Sequence, residues 1–271
     1  GDLAAGQLSL RARNTTTAIS LTGGNIDVGA GGAVTLGTAQ ASNELTLNGY
    51  ATVTANSLRT TGSGRLFVGS GSGIRVGAID ASADAQLALA PVTEGGVLLA
   101  DGRGGIRADS VTVGRDFLVT SSASGVELGS VTAGNDVTVQ LTAADPGAGR
   151  LTAGPIQAGH NLRIAASGDV ALGNSNAAAV TIDTRGALTA ADLTARTGAV
   201  EVTAGGVITG GAFSAARDLN VSSGAGVTLA SAAGGTLDAP ITADNRRSIA
   251  IAGGGDVRVG RATAAGDVGL T

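Results

Sequence analysis

The sequence predicts an all-β protein, a right-handed parallel β-helix of about 12 coils with no substantial helix. Three observations carry this: apolar residues alternate with a period of two, a short phrase returns at a near-regular interval, and large side chains are almost missing. The phrase is a small residue, a variable residue, Asp or Asn, then an alternating apolar run. It reads Gly114-Arg115-Asp116-Phe117-Leu118-Val119, Gly134-Asn135-Asp136-Val137-Thr138-Val139, Gly159-His160-Asn161-Leu162-Arg163-Ile164 and Ala216-Arg217-Asp218-Leu219-Asn220-Val221. A partial copy stands at Gly266-Asp267-Val268-Gly269-Leu270. A unit that recurs in this way is one supersecondary element stacked many times.

The strands are read in chain order from their alternation. Leu8-Ser9-Leu10, Ile19-Ser20-Leu21, Ile26-Asp27-Val28, Val34-Thr35-Leu36, Leu45-Thr46-Leu47, Leu66-Phe67-Val68 and Ile74-Arg75-Val76 each place two apolar residues on one face. The same holds at Val126-Glu127-Leu128, Val137-Thr138-Val139, Val170-Ala171-Leu172, Val200-Glu201-Val202, Val227-Thr228-Leu229, Ile249-Ala250-Ile251 and Val257-Arg258-Val259. Nothing sustains the i, i+3, i+4, i+7 pattern of a helix. Short strands at this spacing also suit a sandwich, but a sandwich has no unit recurring at every second or third strand. Asp116 to Asp136 is 20 residues and Asp136 to Asn161 is 25.

Each coil therefore carries two or three short strands with glycine at the corners, where φ > 0 is expected repeatedly. At ~4.8 Å per coil, 12 coils make a rod of roughly 55 to 60 Å. One coil buries too little to offset its own backbone entropy, so stability belongs to the array. Asp145-Pro146-Gly147-Ala148-Gly149 and Gly173-Asn174-Ser175-Asn176-Ala177-Ala178-Ala179 read as excursions from the regular coil. Between Asn161 and Asp218 there is room for two or three units, opening at Thr184-Arg185-Gly186-Ala187-Leu188 and Thr197-Gly198-Ala199-Val200. Residues 1–271 are read as a single array and, since the pattern runs through both ends, as a fragment of a longer protein.

Composition narrows the chemistry. The four aromatics are Tyr50, Phe67, Phe117 and Phe213, so the core must be narrow and filled by Val, Leu, Ile and Ala. All 17 basic residues are Arg, the formal net charge is −4, and Arg246-Arg247 is the only adjacent basic pair. That excludes the basic footprint of a nucleic-acid binder. No run approaches the ~18 apolar residues of a membrane span, so membrane insertion is not expected. With no cysteine there is neither a disulfide framework nor a thiolate metal site.

No cofactor, metal or catalytic residue is expected. His160, the only histidine, fills the variable slot that holds Arg115, Asn135 and Arg217 elsewhere, which makes it a solvated corner residue. Asp116, Asp136, Asn161 and Asp218 recur at equivalent places, and Asp and Asn share the slot because both bond backbone N–H groups in turns. These four are read as structural turn positions. Gly253-Gly254-Gly255-Asp256-Val257 comes nearest a calcium-binding nonapeptide, with the wrong spacing and no repeat. Thr-x-Thr pairs such as Thr52-Val53-Thr54 do not recur coil after coil, as an ice-binding face would require. Asn14-Thr15-Thr16 and Asn220-Val221-Ser222 fit the glycosylation acceptor pattern at chance frequency.

The phrase at Ala133-Gly134-Asn135-Asp136-Val137-Thr138-Val139 and Ala158-Gly159-His160-Asn161-Leu162-Arg163-Ile164 resembles the repeats of filamentous haemagglutinin-type exoproteins, the large secreted partners of two-partner secretion systems. The resemblance is best over residues 110–271. It implies a β-helical shaft exported unfolded through an outer-membrane transporter and secreted or displayed at the surface of a Gram-negative bacterium. It further implies virulence-related adhesion to host or bacterial surface receptors or glycans, or presentation of a distal binding or toxin module. The chain departs from the family in lacking an Arg-Gly-Asp tripeptide and a recognisable secretion domain. The alternative function is a β-helical carbohydrate-active enzyme with an acidic cluster on one face.

Overall fold

The computed structural model describes residues 1–89, 104–145, 148–235 and 247–271, together with the backbone of two short strands at Val92–Glu94 and Val97–Ala100. Among these residues there is no helix. The two short strands pair antiparallel with each other; every other strand pairs in parallel with its counterpart one turn of the chain later, and the stack forms a β-solenoid of about 12 turns. One such turn leads from Thr16 to Val34 and another from Val53 to Ile74.

Each coil has three sides, well seen from Val126 to Leu141. Val126 and Leu128 point inward from the first side, Val131 and Ala133 from the second, and Val137, Val139 and Leu141 from the third. All seven are buried. Side chains of like position stack into columns: Val137 lies between Phe117 and Leu162, and Val139 between Val119 and Ile164. The core is a stack of aliphatic layers one coil thick, which is why Ala, Val, Leu and Ile suffice to fill it.

The first and second sides meet at a two-residue bend that breaks the alternation. Ala18 and Leu21 both face inward, so Ile19 between them is 68% exposed. Strict alternation puts Ile19 on the face of Leu21; the bend shifts the phase and turns it out to solvent.

The corner glycines serve a purpose other than the expected left-handed backbone. Among the described residues only Gly105 and Gly235 have positive φ. Many of the others lie where stacked backbones approach closely: a Cβ on Gly134 would stand 2.0 Å from the Gly114 carbonyl oxygen, and one on Gly159 1.7 Å from that of Gly134.

Two expectations about coil length are corrected. Residues 173–179 are not an excursion, because Ser175–Ala177 is a second-side strand in register with Ile156 below and Leu193 above. Thr184 to Leu188 does not open a coil either: Leu188 continues the first-side column of Val170 and Ile208, so this stretch turns the opposite corner. Val200 does continue the column of Leu162, Val180 and Leu219, giving three coils between Asn161 and Asp218. The coil from Val126 to Leu151 is long, at the place where 145–149 was expected to loop out, with Pro146 and Gly147 outside the described residues.

Candidate functional site

Three sets of polar residues recur along the rod, two at corners and one on the outer faces. The first set is the recurring Asp/Asn position, which lies between the second and third sides. The structure places Asp116, Asp136, Asn161 and Asp218 there, with Asp84 one coil before Asp116. Their side chains reach along the rod axis instead of closing a turn within the coil. The N–H of Asp116 donates to Asp84 Oδ1 at 3.2 Å, that of Asp136 to Asp116 Oδ1 at 3.1 Å, and that of Asn161 to Asp136 Oδ1 at 2.9 Å. The Asn161 amide adds a second bond to Asp136 Oδ1 at 3.0 Å, and the N–H of Ser248 donates to Asp218 Oδ1 at 2.8 Å. Each carboxylate thus caps the amide of its counterpart in the following coil. Asn can serve in place of Asp because the task is to accept a hydrogen bond, as Asn25 Oδ1 does from the Glu44 N–H at 3.3 Å in an earlier coil.

Replacing Asp136 by Ala should cost about 1–2 kcal/mol, since the half-buried Asn161 loses its acceptor, whereas Asp136→Asn should stay within about 0.5 kcal/mol. Urea midpoints of the two variants measure the difference. An equal loss for both would show that charge, and not hydrogen bonding, is what the position supplies.

The second corner, after the third side, turns on buried hydroxyls that the sequence reading missed. Ser121 Oγ donates to the Ser124 carbonyl at 2.7 Å and accepts from the Ser124 N–H at 3.3 Å. Ser70 Oγ makes the same pair of bonds with Gly73, at 2.8 and 3.0 Å, and Ser223 Oγ accepts from the Ala225 N–H at 3.1 Å. Thr184 donates to the Gly168 carbonyl and accepts from the Gly186 N–H. The signal was available as a Ser or Thr ending the third strand, but Ala166 and Ala204 hold the same column and blur it.

Arg and acidic residues pair across coils on the surface. Arg115 grips Asp84 at 3.1 and 2.5 Å, and Arg150 meets Asp169 at 2.8 Å. Burial pushes the Asp84 carboxyl up, but the Arg115 guanidinium, the Asp116 N–H and the charge of Arg65 outweigh it and hold it below its usual range. The Ala187 N–H and then Arg150 do the same for Asp169. Groups depressed in the folded state stabilise it fully above the unfolded pKa and lose that contribution as pH falls through the folded value. Melting temperature should therefore drop on acidification below about pH 4, and Asp169→Asn should flatten that drop in thermal scans between pH 6 and 2. An unchanged slope would remove Asp169 from the account.

His160 is exposed at its corner, its N–H donating to the Asn135 carbonyl at 2.9 Å. The described residues contain no group of three or more His, Cys, Asp or Glu placed to hold a metal. The Thr52 and Thr54 pair has no copies in neighbouring coils, yet single outward threonines do stack, as Thr17-Thr35-Thr54 and as Thr189-Thr209-Thr228. One hollow, of about 1240 Å³, is bordered by Arg75, Arg107, Glu127, Arg150 and Asp169. Its charges largely satisfy one another: Arg107 pairs with Glu127 at 3.4 Å and Arg150 with Asp169.

The polar positions therefore define a class, a parallel β-solenoid whose repeated side chains bond coil to coil. Comparison with family models, with curated proteins and with solved structures gave no match.

Proposed function

We propose that the chain is the structural shaft of a secreted or surface-displayed filamentous adhesin of a Gram-negative bacterium, exported through an outer-membrane two-partner secretion transporter. Its task is to hold a distal binding or toxin module away from the cell, and it carries out no reaction of its own. The observation that carries this reading is that the recurring polar residues are used for bonds that build the solenoid, between coils and within its corners. Asp84, Asp116 and Asp136 cap the next coil's amide, and Ser70, Ser121 and Ser223 fold the other corner. The resemblance of the Gly-x-Asp/Asn phrase to haemagglutinin-type repeats supports the secretion class. The absence of cysteine suits a chain threaded unfolded, because no disulfide closes a wide loop.

A spacer has length as its working property. Duplicating residues 162–218 joins Asp218 to Leu162, which shares its column with Leu219, and so adds three coils in register. The rod should lengthen by roughly 14 Å, read by small-angle scattering, while the activity of a module fused at the end stays unchanged. A fused module whose binding is lost when one coil, residues 180–199, is removed would sink the spacer reading and make this region the receptor site.

A further inference from the structure

Of the four aromatic rings, Phe117 and Phe213 are 1% exposed and Phe67 is half-buried with Arg65 over its face at 5.3 Å. Tyr50 alone stands out in water, at 53% exposure, and it borders a second hollow of about 740 Å³ on the third side of the rod. The floor of that hollow is an outward column in which neighbouring coils place Gly29, Asn48, Gly69 and Ala88. Further along, the same column holds Thr120 and Gln140. Glycine inside a strand marks places where something approaches the backbone closely, here the Arg11 side chain over Gly29 and the Asn48 and Phe67 side chains over Gly69.

The polar groups around the floor are unequal in their commitments. Arg11 lies across Gly29 and is paired with Asp27. The Asn48 amide lies over Gly69, where a Cβ would stand 2.6 Å from its Oδ1, and it is exposed with no hydrogen bond among the described residues. Arg13 lines the rim, exposed and in no ion pair among those residues.

We infer that this groove binds a carboxylated saccharide. A sugar ring presents an apolar C–H face that packs on an aromatic ring such as Tyr50. Its neighbouring hydroxyls match an amide that both donates and accepts, as Asn48 does. A uronate carboxylate takes the planar fork of Arg13, the guanidinium left over once Arg11 is bound to Asp27. Two coils span about 10 Å, the width of one or two sugar rings. The site lies on the flank of the rod, so it adds a lateral grip that the spacer role does not need.

The test is calorimetric titration of the 271-residue chain with tetragalacturonate and with neutral maltotetraose. Tetragalacturonate should bind about tenfold more tightly than the neutral sugar, and Arg13→Gln should erase that preference. Tyr50→Ala should lose about tenfold in affinity at an unchanged melting temperature, while Tyr50→Phe, which keeps the platform, stays within about threefold. Absence of heat with tetragalacturonate, equal binding of both sugars, or wild-type affinity in Tyr50→Ala would overturn the assignment. None of these results bears on the length measurement, so the groove and the spacer stand or fall separately.

Discussion

Replacing Phe213 by alanine should destabilise the rod by about 3–5 kcal/mol, among the largest effects of any single truncation in the chain. Phe213 is 1% exposed and stacks between Leu193 and Ala232 in the second-side column. Its ring also fills space that belongs to another position. In the neighbouring coils the inward residue at the end of the first side is Ala190 or Leu229, but here it is Gly210. A Cβ on Gly210 would stand 2.4 Å from Phe213 Cε1 and 2.9 Å from Leu229 Cδ2.

The two residues thus share one volume, and their substitutions should couple. Gly210→Leu alone should be severely destabilising, because the ring has nowhere to move. Gly210→Leu with Phe213→Ala reproduces the pairing of the next coil, Leu229 with Ala232, and should recover more than half of the loss. A double-mutant cycle in urea measures this coupling. Additive losses would show that the layer relaxes around the ring and that the volume is not shared.

Gly159→Val should be comparably damaging, at about 3 kcal/mol or more. A side chain there meets the Gly134 carbonyl oxygen, and Gly134 in turn stands over Gly114 in the same way. Three successive coils are in close backbone contact along this edge, with the N–H of Gly159 bonded to the Ala133 carbonyl at 2.9 Å. Admitting a β-branched residue means parting the coils and weakening that ladder. Ala216 occupies the corresponding place three coils on, bonded to the Ala195 carbonyl at 2.9 Å, so the position as such tolerates a methyl group. It is the run of three glycines that does not. Chemical unfolding of Gly159→Val beside Ala216→Gly checks this; a loss below about 1 kcal/mol for the valine would mean that the coils separate easily there.

The architecture was legible in the sequence because every coil repeats the same physical problem. Val126-Glu127-Leu128 and Val137-Thr138-Val139 alternate in the sequence and alternate in burial. What escaped reading lies where alternation is interrupted or where one function is shared among residue types. Ile19 beside Leu21 looks like a strand pair because a two-residue bend leaves no mark beyond a phase shift. The stretch from Thr184 to Leu188 imitates the opening phrase while turning the opposite corner, since small-polar-glycine text serves both corners. Corner glycine suggests left-handed backbone, whereas contact between stacked chains is the cause, and nothing local in sequence separates the two.

The recurrence of Asp and Asn is visible in the sequence, but their partners are not. Asp116 bonds to a residue 20 positions away, and Asp136 to one 25 away. Such a pairing needs the register, which becomes fixed only when the coil length is known. The groove beside Tyr50 was invisible for the same reason: Gly29, Asn48 and Gly69 stand a full coil apart along the chain and become neighbours by stacking alone.

The near-constant pairing distance has a kinetic meaning. Most ladder bonds close a loop of a single coil, from the first coils to the last described ones, as between Leu10 and Val28 or Ile249 and Val268. Folding rate falls as the mean separation of contacting residues grows relative to chain length, and here that ratio shrinks with every coil added. Each finished coil offers the next a ready edge, so closure entropy is met in equal small steps. Doubling the rod should leave the time to add a coil unchanged, which makes length a quantity that evolution can adjust by duplication, with folding time growing only in proportion.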